Sequence, residues 1–325
     1  MYKTAVIGTG VMGQNHARVL AEISQLSGVV DVNEQAGKTV AKRFNVPYFK
    51  DYGELPKDID AVIVATPTVT HKDIALDLIR QGKHVLVEKP LSNTVASAKE
   101  IVDAAEKQGI TFAVGHIERH NPAVKYTKSA AQNGQFGKVI SAHAKRVSSY
   151  PGRIGDVGVI IDLAIHDIDI IRYITGMEVE SVFASGGILG IGKHEDFAHI
   201  ILMLSGGING LVEVNWHTPM KIRKLTLTGS TRYVEVDYMN QTIDISSSQF
   251  LDIDKTNLSQ IPQEMDHRHI TLKKQEPLKN ELIDFLACID KKQTPLVPGK
   301  DGLKAVQIAE AALESIKLKK LIDLQ

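Results

Sequence analysis

The sequence predicts an α/β fold: an N-terminal doubly wound parallel sheet, followed by a C-terminal α/β domain with a large, mostly antiparallel sheet. Three observations predict it. Through the first 115 residues, short apolar runs alternate with helical patterns, which is the mark of successive βαβ units. A glycine-rich turn, GTGVMG at 8–13, directly follows the first apolar run and opens the first helical pattern. Beyond Gly115 several alternating strand patterns succeed one another with no helix between them, as neighbouring antiparallel strands do.

In order, KTAVIG, SGVVDV, DAVIVAT, KHVLVE and ITFAVG are the strands of the first region. Between them QNHARVLAEIS, EQAGKTVAKRF, THKDIALDLIRQ and TVASAKEIVDAAEKQ repeat apolar residues every three to four positions. Gly82 and Gly109 stand where C-caps belong. In the second region helices near 122–133 and 159–175 bracket a strand near 138–148. The strands SVFASGGI, AHIILMLS, GLVEVNWH, RKLTLTG, RYVEVDY and TIDISSS follow. DKTNLSQIPQEMDHRH has no period and reads as loop, and helices near 277–291 and 301–320 finish the chain.

At 325 residues the chain exceeds the size at which a single core stops growing, so two domains are expected. The boundary falls near 116–122, where Pro122 starts a helix, giving domains of 1–118 and 119–325. Lys+Arg and Asp+Glu are both 38, and this balance argues against a nucleic-acid or anionic-membrane partner. The opening MYKTAVIGTG lacks the charged lead and apolar stretch of a secretory signal, and no run reaches the ~18–20 apolar residues of a membrane span. The single cysteine, Cys288, reads as a small buried hydrophobe in ELIDFLACI. A cytoplasmic location is the expectation.

GTGVMG matches G-x-G-x-x-G in the context that gives the motif meaning, a strand before it and a helix after it. Gly8 serves the tight turn, Gly10 lets a pyrophosphate approach the backbone, and Gly13 packs the helix on the strand, while the N–H groups at Val11 and Met12 face the phosphates. This is a Rossmann dinucleotide site. Asp31 ends the second strand, about 20 residues on, where an acid binds the adenosine ribose hydroxyls. Its charge repels a 2′-phosphate and Val32 supplies no cation, so the expected cofactor is NAD. Ligands of a doubly wound sheet lie beyond the carboxyl ends of its strands, which places Thr66, Pro67 and His71 of ATPTVTH, with Glu88 and Lys89 of the next strand end, beside the cofactor.

Taken together, GTGVMG, ATPTVTH, GKHVLVEKPLS and DLAIHDID resemble, in order, the motifs of the glucose–fructose oxidoreductase/inositol dehydrogenase/MocA dehydrogenases. The resemblance spans both domains. It implies a Rossmann domain followed by an α/β domain whose sheet forms oligomer contacts (a dimer or tetramer), and NAD-linked oxidation of a secondary alcohol of a sugar or cyclitol. Carried over by position, it makes Lys89, Asp162 and His166 the catalytic constellation and the Lys89–Pro90 bond cis. Within the family, VGHIERHNPAV and PGRIGDVGVIIDLAIHDIDIIRYITG are similar to UDP-N-acetylglucosamine 3-dehydrogenases and neighbouring sugar-nucleotide 3-oxidases. His120 departs from the pattern, standing where many relatives have an aromatic residue, so no substrate contact is carried over there.

The residues support the same chemistry on their own. Treated as one helix, 160–173 places His166 about +40°, Asp169 about −20° and Tyr173 about +20° from Asp162, with Asp167 about 140° away. Isoleucine, leucine and alanine cover most of the rest, so the polar stripe must face partners or a cavity. An imidazole suits removal of a hydroxyl proton near neutral pH. His166 is then the base, Asp162 its orienting partner, and Lys89 the cation that binds the reacting hydroxyl. A desolvated Lys89 taking the proton itself is the other possibility. Arg153, in YPGRIGD, is a candidate for a sugar-nucleotide diphosphate, equally open to a surface salt bridge, and His116 is a candidate substrate contact. HIERH at 116–120 has no metalloprotease spacing and no metal is expected. Competing functions are a myo-inositol or free-sugar dehydrogenase and, in another class, a non-catalytic NAD-binding sensor.

Overall fold

A computed structural model of the chain describes residues 1–151, 157–190, 192–250 and 263–324. The chain divides into two compact units, Met1–His120 with Glu276–Glu310, and Asn121–Gln275 with Ala311–Gln325.

The first unit is built on six parallel strands, β1 (Lys3–Ile7), β2 (Gln25–Val30), β3 (Tyr48–Phe49), β4 (Ala61–Val64), β5 (His84–Glu88) and β6 (Phe112–Gly115). Their order is β3-β2-β1-β4-β5-β6, so chain direction across the sheet reverses between β1 and β4. That switch point is where ligands of such sheets bind. β4 is buried throughout and β5 from its second residue on, which is why both read as unbroken apolar runs. The connecting helices are α1 (Val11–Ile23), α2 (Glu34–Phe44), α3 (His71–Arg80) and α4 (Val95–Gln108). Asn33 and Thr94 cap α2 and α4 with their side chains, and α4 ends on Gly109 at φ 68°. The five expected strands and four expected helices are present. β3 was not expected, because two residues have no period to detect.

The second unit carries α5 (Pro122–Gln132), β7 (Val139–Ser149), a turn of π-helix at Ile160–Ala164 continued by α6 (Ile165–Thr175), then β8 (Val179–Gly187), β9 (Phe197–Leu204), β10 (Ile208–Asn215), β11 (His217–Gly229), β12 (Tyr233–Asp237), β13 (Thr242–Phe250) and β14 (Gln263–Thr271). The chain closes with α7 (Pro277–Lys291), α8 (Gly299–Leu318) and β15 (Ile322–Asp323). The strands form one sheet in the order β14-β13-β12-β11-β7-β10-β9-β8-β15, in which only β7 and β10 pair in parallel. Ala142 and Ala144, Ala198, Ile200 and Leu202, and Val212 and Val214 point to the buried face. Phe183, Ile201 and Met203 point to the other and are exposed. Registers Phe183↔Ile201, Ile201↔Leu211 and Leu211↔His143 set Phe183, Ile201, Leu211 and His143 in one row across the open face, with Met203 in the next row opposite Ser181.

Two expectations change. DKTNLSQIPQEMDHRH, 254–269, was expected as loop. Its first part lies outside the described residues, but Gln263–Thr271 is strand β14, paired antiparallel with β13. Nearly every described side chain of β14 is exposed, so an edge strand that is polar on both faces shows no alternation. The single division after residue 118 also differs from the observed units, since Glu276–Glu310 belongs with the first. The cause is the apolar stripe of α7: Leu278, Leu282, Phe285, Leu286 and Ile289 share a core with Ala17 and Leu20 of α1 and with Val6, Val29 and Ile63 of the sheet. Cys288 is buried on the same helix, and burial, with Asp284 nearby, pushes its thiol pKa up. Among the described residues no helix is long and apolar enough to cross a membrane.

Candidate active site

In the first unit β1 runs into the glycine turn at the switch point. Gly8 has φ +90°, and a Cβ there would stand 2.5 Å from the Ala65 carbonyl oxygen. A Cβ on Gly13 would stand 1.8 Å from the carbonyl oxygen of Gly8. No other residue fits either position. Gly10 is different, because a Cβ there would meet nothing within 4 Å. It is the N-cap of α1 and offers no side-chain cap, there is no acid in the first turn, and Val11 is 60% exposed. Free N–H groups beside open space form a cradle for an anion. Asp31 closes it on the β2 side: its Oδ2 accepts from the Thr9 N–H at 2.7 Å and the Thr9 hydroxyl at 2.6 Å, and its Oδ1 from the Asn33 N–H at 2.8 Å. Val32 beside it is 84% exposed. This donor set fits the pyrophosphate and ribose of a dinucleotide.

Thr66 and Pro67 extend from the end of β4, in contact with the turn through the Thr66 methyl, 3.0 Å from an imagined Gly8 Cβ. His71 and Glu88, expected to border the cofactor, turn inward instead. His71 is 1% exposed, with Nδ1 3.0 Å from the Pro90 carbonyl oxygen and Nε2 2.9 Å from that of Thr66. Burial pushes its pKa down, against the pull of those carbonyls. Glu88 Oε1 lies 2.7 Å from Nε2 of His16, a fully buried residue of α1, and Glu88 Oε2 accepts from the Lys89 N–H at 3.1 Å. Burial alone would raise the Glu88 carboxyl, but the His16 hydrogen bond and the charges of His16 and Lys89 outweigh it and hold the pKa below its ordinary value. Lys89 is half-buried, and its bond to Pro90 is cis.

His116 ends β6 with its ring buried, and Glu118, Arg119 and His120 are buried in the 3₁₀ turn that follows. Arg119 reaches Asp301 at 2.6 Å. Among the described residues no group of three His, Cys, Asp or Glu side chains is arranged to hold a metal.

In the second unit Asp162 sits in the π-turn and His166 in the first turn of α6, both half-buried. The i→i+5 bond from the Ile165 N–H to the Ile160 carbonyl widens this turn, so the 100° count from Asp162 does not hold across it. Turns of this kind concentrate at functional sites. Asp167, set apart from the stripe on the sequence, is fully buried and bound in a fork by Arg146 of β7 at 2.8 and 3.1 Å. Asp169 is fully buried as well. Arg153 and Asp156 lie outside the described residues.

Three residues escaped the sequence reading. His16 and Glu281 share helical phase with apolar neighbours, Ala17 and Leu20 in one case and Leu278 and Phe285 in the other, and that phase was the available signal. Both oxygens of Glu281 are buried with no hydrogen-bond partner among the described residues; burial, then the charges of Glu88 and Asp284, hold its carboxyl well above the usual range. Glu195 steadies the π-turn, its Oε1 accepting from the Ile160 N–H at 3.2 Å and its carbonyl from the Val159 N–H at 2.9 Å. It comes from the segment between β8 and β9, and nothing local points to it.

Residues 2–116 match the family model "Oxidoreductase family, NAD-binding Rossmann fold", and residues 124–235 match "GFO/IDH/MocA C-terminal domain". The chain belongs to the Gfo/Idh/MocA oxidoreductases. It is therefore an NAD-dependent dehydrogenase. Among members of the family, it is 30% identical to the UDP-N-acetylglucosamine 3-dehydrogenase of Acidithiobacillus ferrooxidans over 96% of this chain and 95% of that one. It is 28% identical to the myo-inositol 2-dehydrogenase of Thermotoga maritima over 99% and 98%. The solved structure of the Acidithiobacillus enzyme matches with a TM-score of 0.86 at 28% identity, covering 97% of each chain.

Proposed function

We propose that this Gfo/Idh/MocA enzyme oxidises the 3-hydroxyl of UDP-N-acetylglucosamine, or of a closely related sugar nucleotide, to the 3-keto sugar. The observation that carries the reading is the end-to-end likeness to a UDP-N-acetylglucosamine 3-dehydrogenase, 30% identical over 96% of this chain and 95% of that one.

The open cradle at Gly10, with Gly8, Val11, Met12 and Gly13, holds the pyrophosphate of NAD. Asp31 binds its ribose hydroxyls, and Thr66, Pro67 and Lys89 border the rest. The chemistry that NAD supplies when bound is acceptance of a hydride. His166 takes the hydroxyl proton of the substrate, and Asp162 orients its imidazole and holds the charge that results. Lys89 binds the reacting oxygen and stabilises negative charge as it develops. A positioned base of this kind is worth ~10²–10⁴-fold. The enzyme works in the cytoplasm as a homo-oligomer assembled through the open face of the nine-stranded sheet.

The likeness to a myo-inositol 2-dehydrogenase favours a second reading, oxidation of a cyclitol or free sugar. A reduced-nicotinamide absorbance screen across UDP-sugars, inositols and free sugars separates the two. A parallel arm contains 2-oxoglutarate, since NAD retained through turnover needs a second substrate to reoxidise it. The highest kcat/KM is expected on UDP-N-acetylglucosamine. Turnover of inositol with none on UDP-sugars would establish the second reading. NAD binding without any turnover, unaffected by Lys89→Ala and His166→Ala, would leave a non-catalytic sensor.

A further inference from the structure

The backbone on either side of the Lys89 side chain is held by buried ionisable groups from two different helices. On the amide side, Glu88 folds back so that Oε2 accepts from the Lys89 N–H at 3.1 Å while Oε1 meets His16 Nε2 at 2.7 Å. The side chain of His16 is 0% exposed and that of Glu88 9%. Glycine at 115 leaves the space that the carboxylate occupies, since a Cβ there would come within 3.0 Å of Oε2. On the carbonyl side, His71 of α3 has Nδ1 3.0 Å from the oxygen of Pro90, and its Nε2 faces the oxygen of Thr66 at 2.9 Å. A neutral ring donates to one of these oxygens and an imidazolium to both.

At the neighbouring strand ends main-chain bonds also take part, beside the Asp31 carboxylate that holds Thr9 after β1. Gly8 is fixed by its N–H to the Val30 carbonyl at 2.8 Å, and Ala65 by its N–H to the Ile7 carbonyl at 2.8 Å. Burying a carboxylate and two imidazoles is costly unless each is satisfied, and a main-chain bond would end β5 as it ends β1 and β4. What distinguishes this strand end is that a carboxylate and two imidazoles converge on the main chain that carries Lys89. His71 also ties the Lys89 loop to Thr66, so one ring bridges the two strand ends.

We propose that His16, Glu88 and His71 are positioning residues that clamp the main chain at 89–90 and thereby aim the Lys89 ammonium at the reacting hydroxyl. The inference rests on the catalytic reading of Lys89 given above. All three are buried and act through Lys89, and a residue set in this way matters to rate because a displacement of about 1 Å at a reacting group costs on the order of 10²-fold.

The test uses the full-length enzyme with Glu88→Ala, Glu88→Gln, His71→Ala, His71→Asn, His16→Gln and Lys89→Ala. Steady-state kinetics, the NAD dissociation constant by calorimetry, and amide hydrogen exchange over 85–92 are measured on each. Glu88→Ala and His71→Ala should lower kcat by about 30-fold or more and speed exchange at 89 at least about tenfold, with the NAD dissociation constant and the sugar KM within about threefold. Glu88→Gln, which keeps an oxygen for the Lys89 N–H, and His71→Asn, which keeps a donor for Pro90, should recover most of kcat, and His16→Gln should fall between. Fast exchange with wild-type kcat, or a loss seen in NAD affinity rather than kcat, overturns the clamp. So does unchanged exchange and turnover in the alanine variants while Lys89→Ala is inactive. If Lys89→Ala keeps wild-type turnover, it is the catalytic reading of Lys89 that falls, and the clamp's purpose with it.

Discussion

Asp31 does two things with one carboxylate. It fixes Thr9 inside the glycine turn through two bonds to Oδ2, and it puts a negative charge where the adenosine ribose is proposed to lie. Asp31→Asn removes the charge while its amide oxygen can still accept from Thr9, at the loss of the bond from the Asn33 N–H. The preference for NAD over NADP, measured as the ratio of dissociation constants, should fall by about tenfold or more, the equivalent of about 1.4 kcal/mol. An unchanged ratio would remove the charge argument for NAD. Glycines show the same economy. At Gly8 and Gly13 the backbone leaves no room for a methyl group, whereas at Gly10 the space is open, so the motif holds two internal constraints and one that only a ligand explains.

At the scale of the element, α7 carries a contradiction that its packing resolves. Its stripe is apolar except at Glu281, which is 2% exposed. Burial first, and then the charges of Glu88 and Asp284, make Glu281 hold its proton well above the usual range. Because the folded pKa is raised, the folded protein binds this proton more tightly than the unfolded chain does. The contribution of the group to stability is complete below its ordinary value of 4.5 and is lost as pH rises toward the folded value. Glu281→Gln should therefore gain on the wild type as pH rises from about 5 to 8, with a slope of at most about 1.4 kcal/mol per pH unit, read from denaturant midpoints. Equal pH dependence in the two proteins would show that Glu281 is ionised in the fold. The π-turn makes a related point about legibility. Its side chains were readable as a polar stripe in an apolar helix, but the widened turn was not, because it depends on Glu195, which lies about 35 residues away on a loop.

For the whole molecule, local periodicity made both sheets legible except at strands such as β3 and β14, and motif context made the cofactor turn legible. Pairings made at long range were not. The amphipathic stripe of α7 announced that the helix is buried on one side, yet a stripe does not say which core it joins, and it joins that of the first unit. A protein of residues 1–120 alone should consequently be aggregation-prone or melt well below a fusion of 1–120 to 276–310, compared by circular dichroism. Equal melting of the two would mean that α7 adds nothing to that core. The open face of the second sheet gives a separate expectation. Phe183, Ile201 and Met203 lie exposed on it, and Ile201→Asp should shift the enzyme toward monomer in light scattering coupled to size exclusion. A wild type that is already monomeric would refute assembly through this face.

The late arrival of α7 also has a meaning during synthesis. All six strands of the first sheet have been synthesised once residue 115 is made, but the helix that completes their core begins only at Pro277. At about 5–20 residues per second the intervening segment takes roughly 10–30 s to translate. For that interval the nascent chain presents Ala17, Leu20 and Leu26 as an uncovered apolar surface, an opening for chaperones that a contiguous domain would close at once.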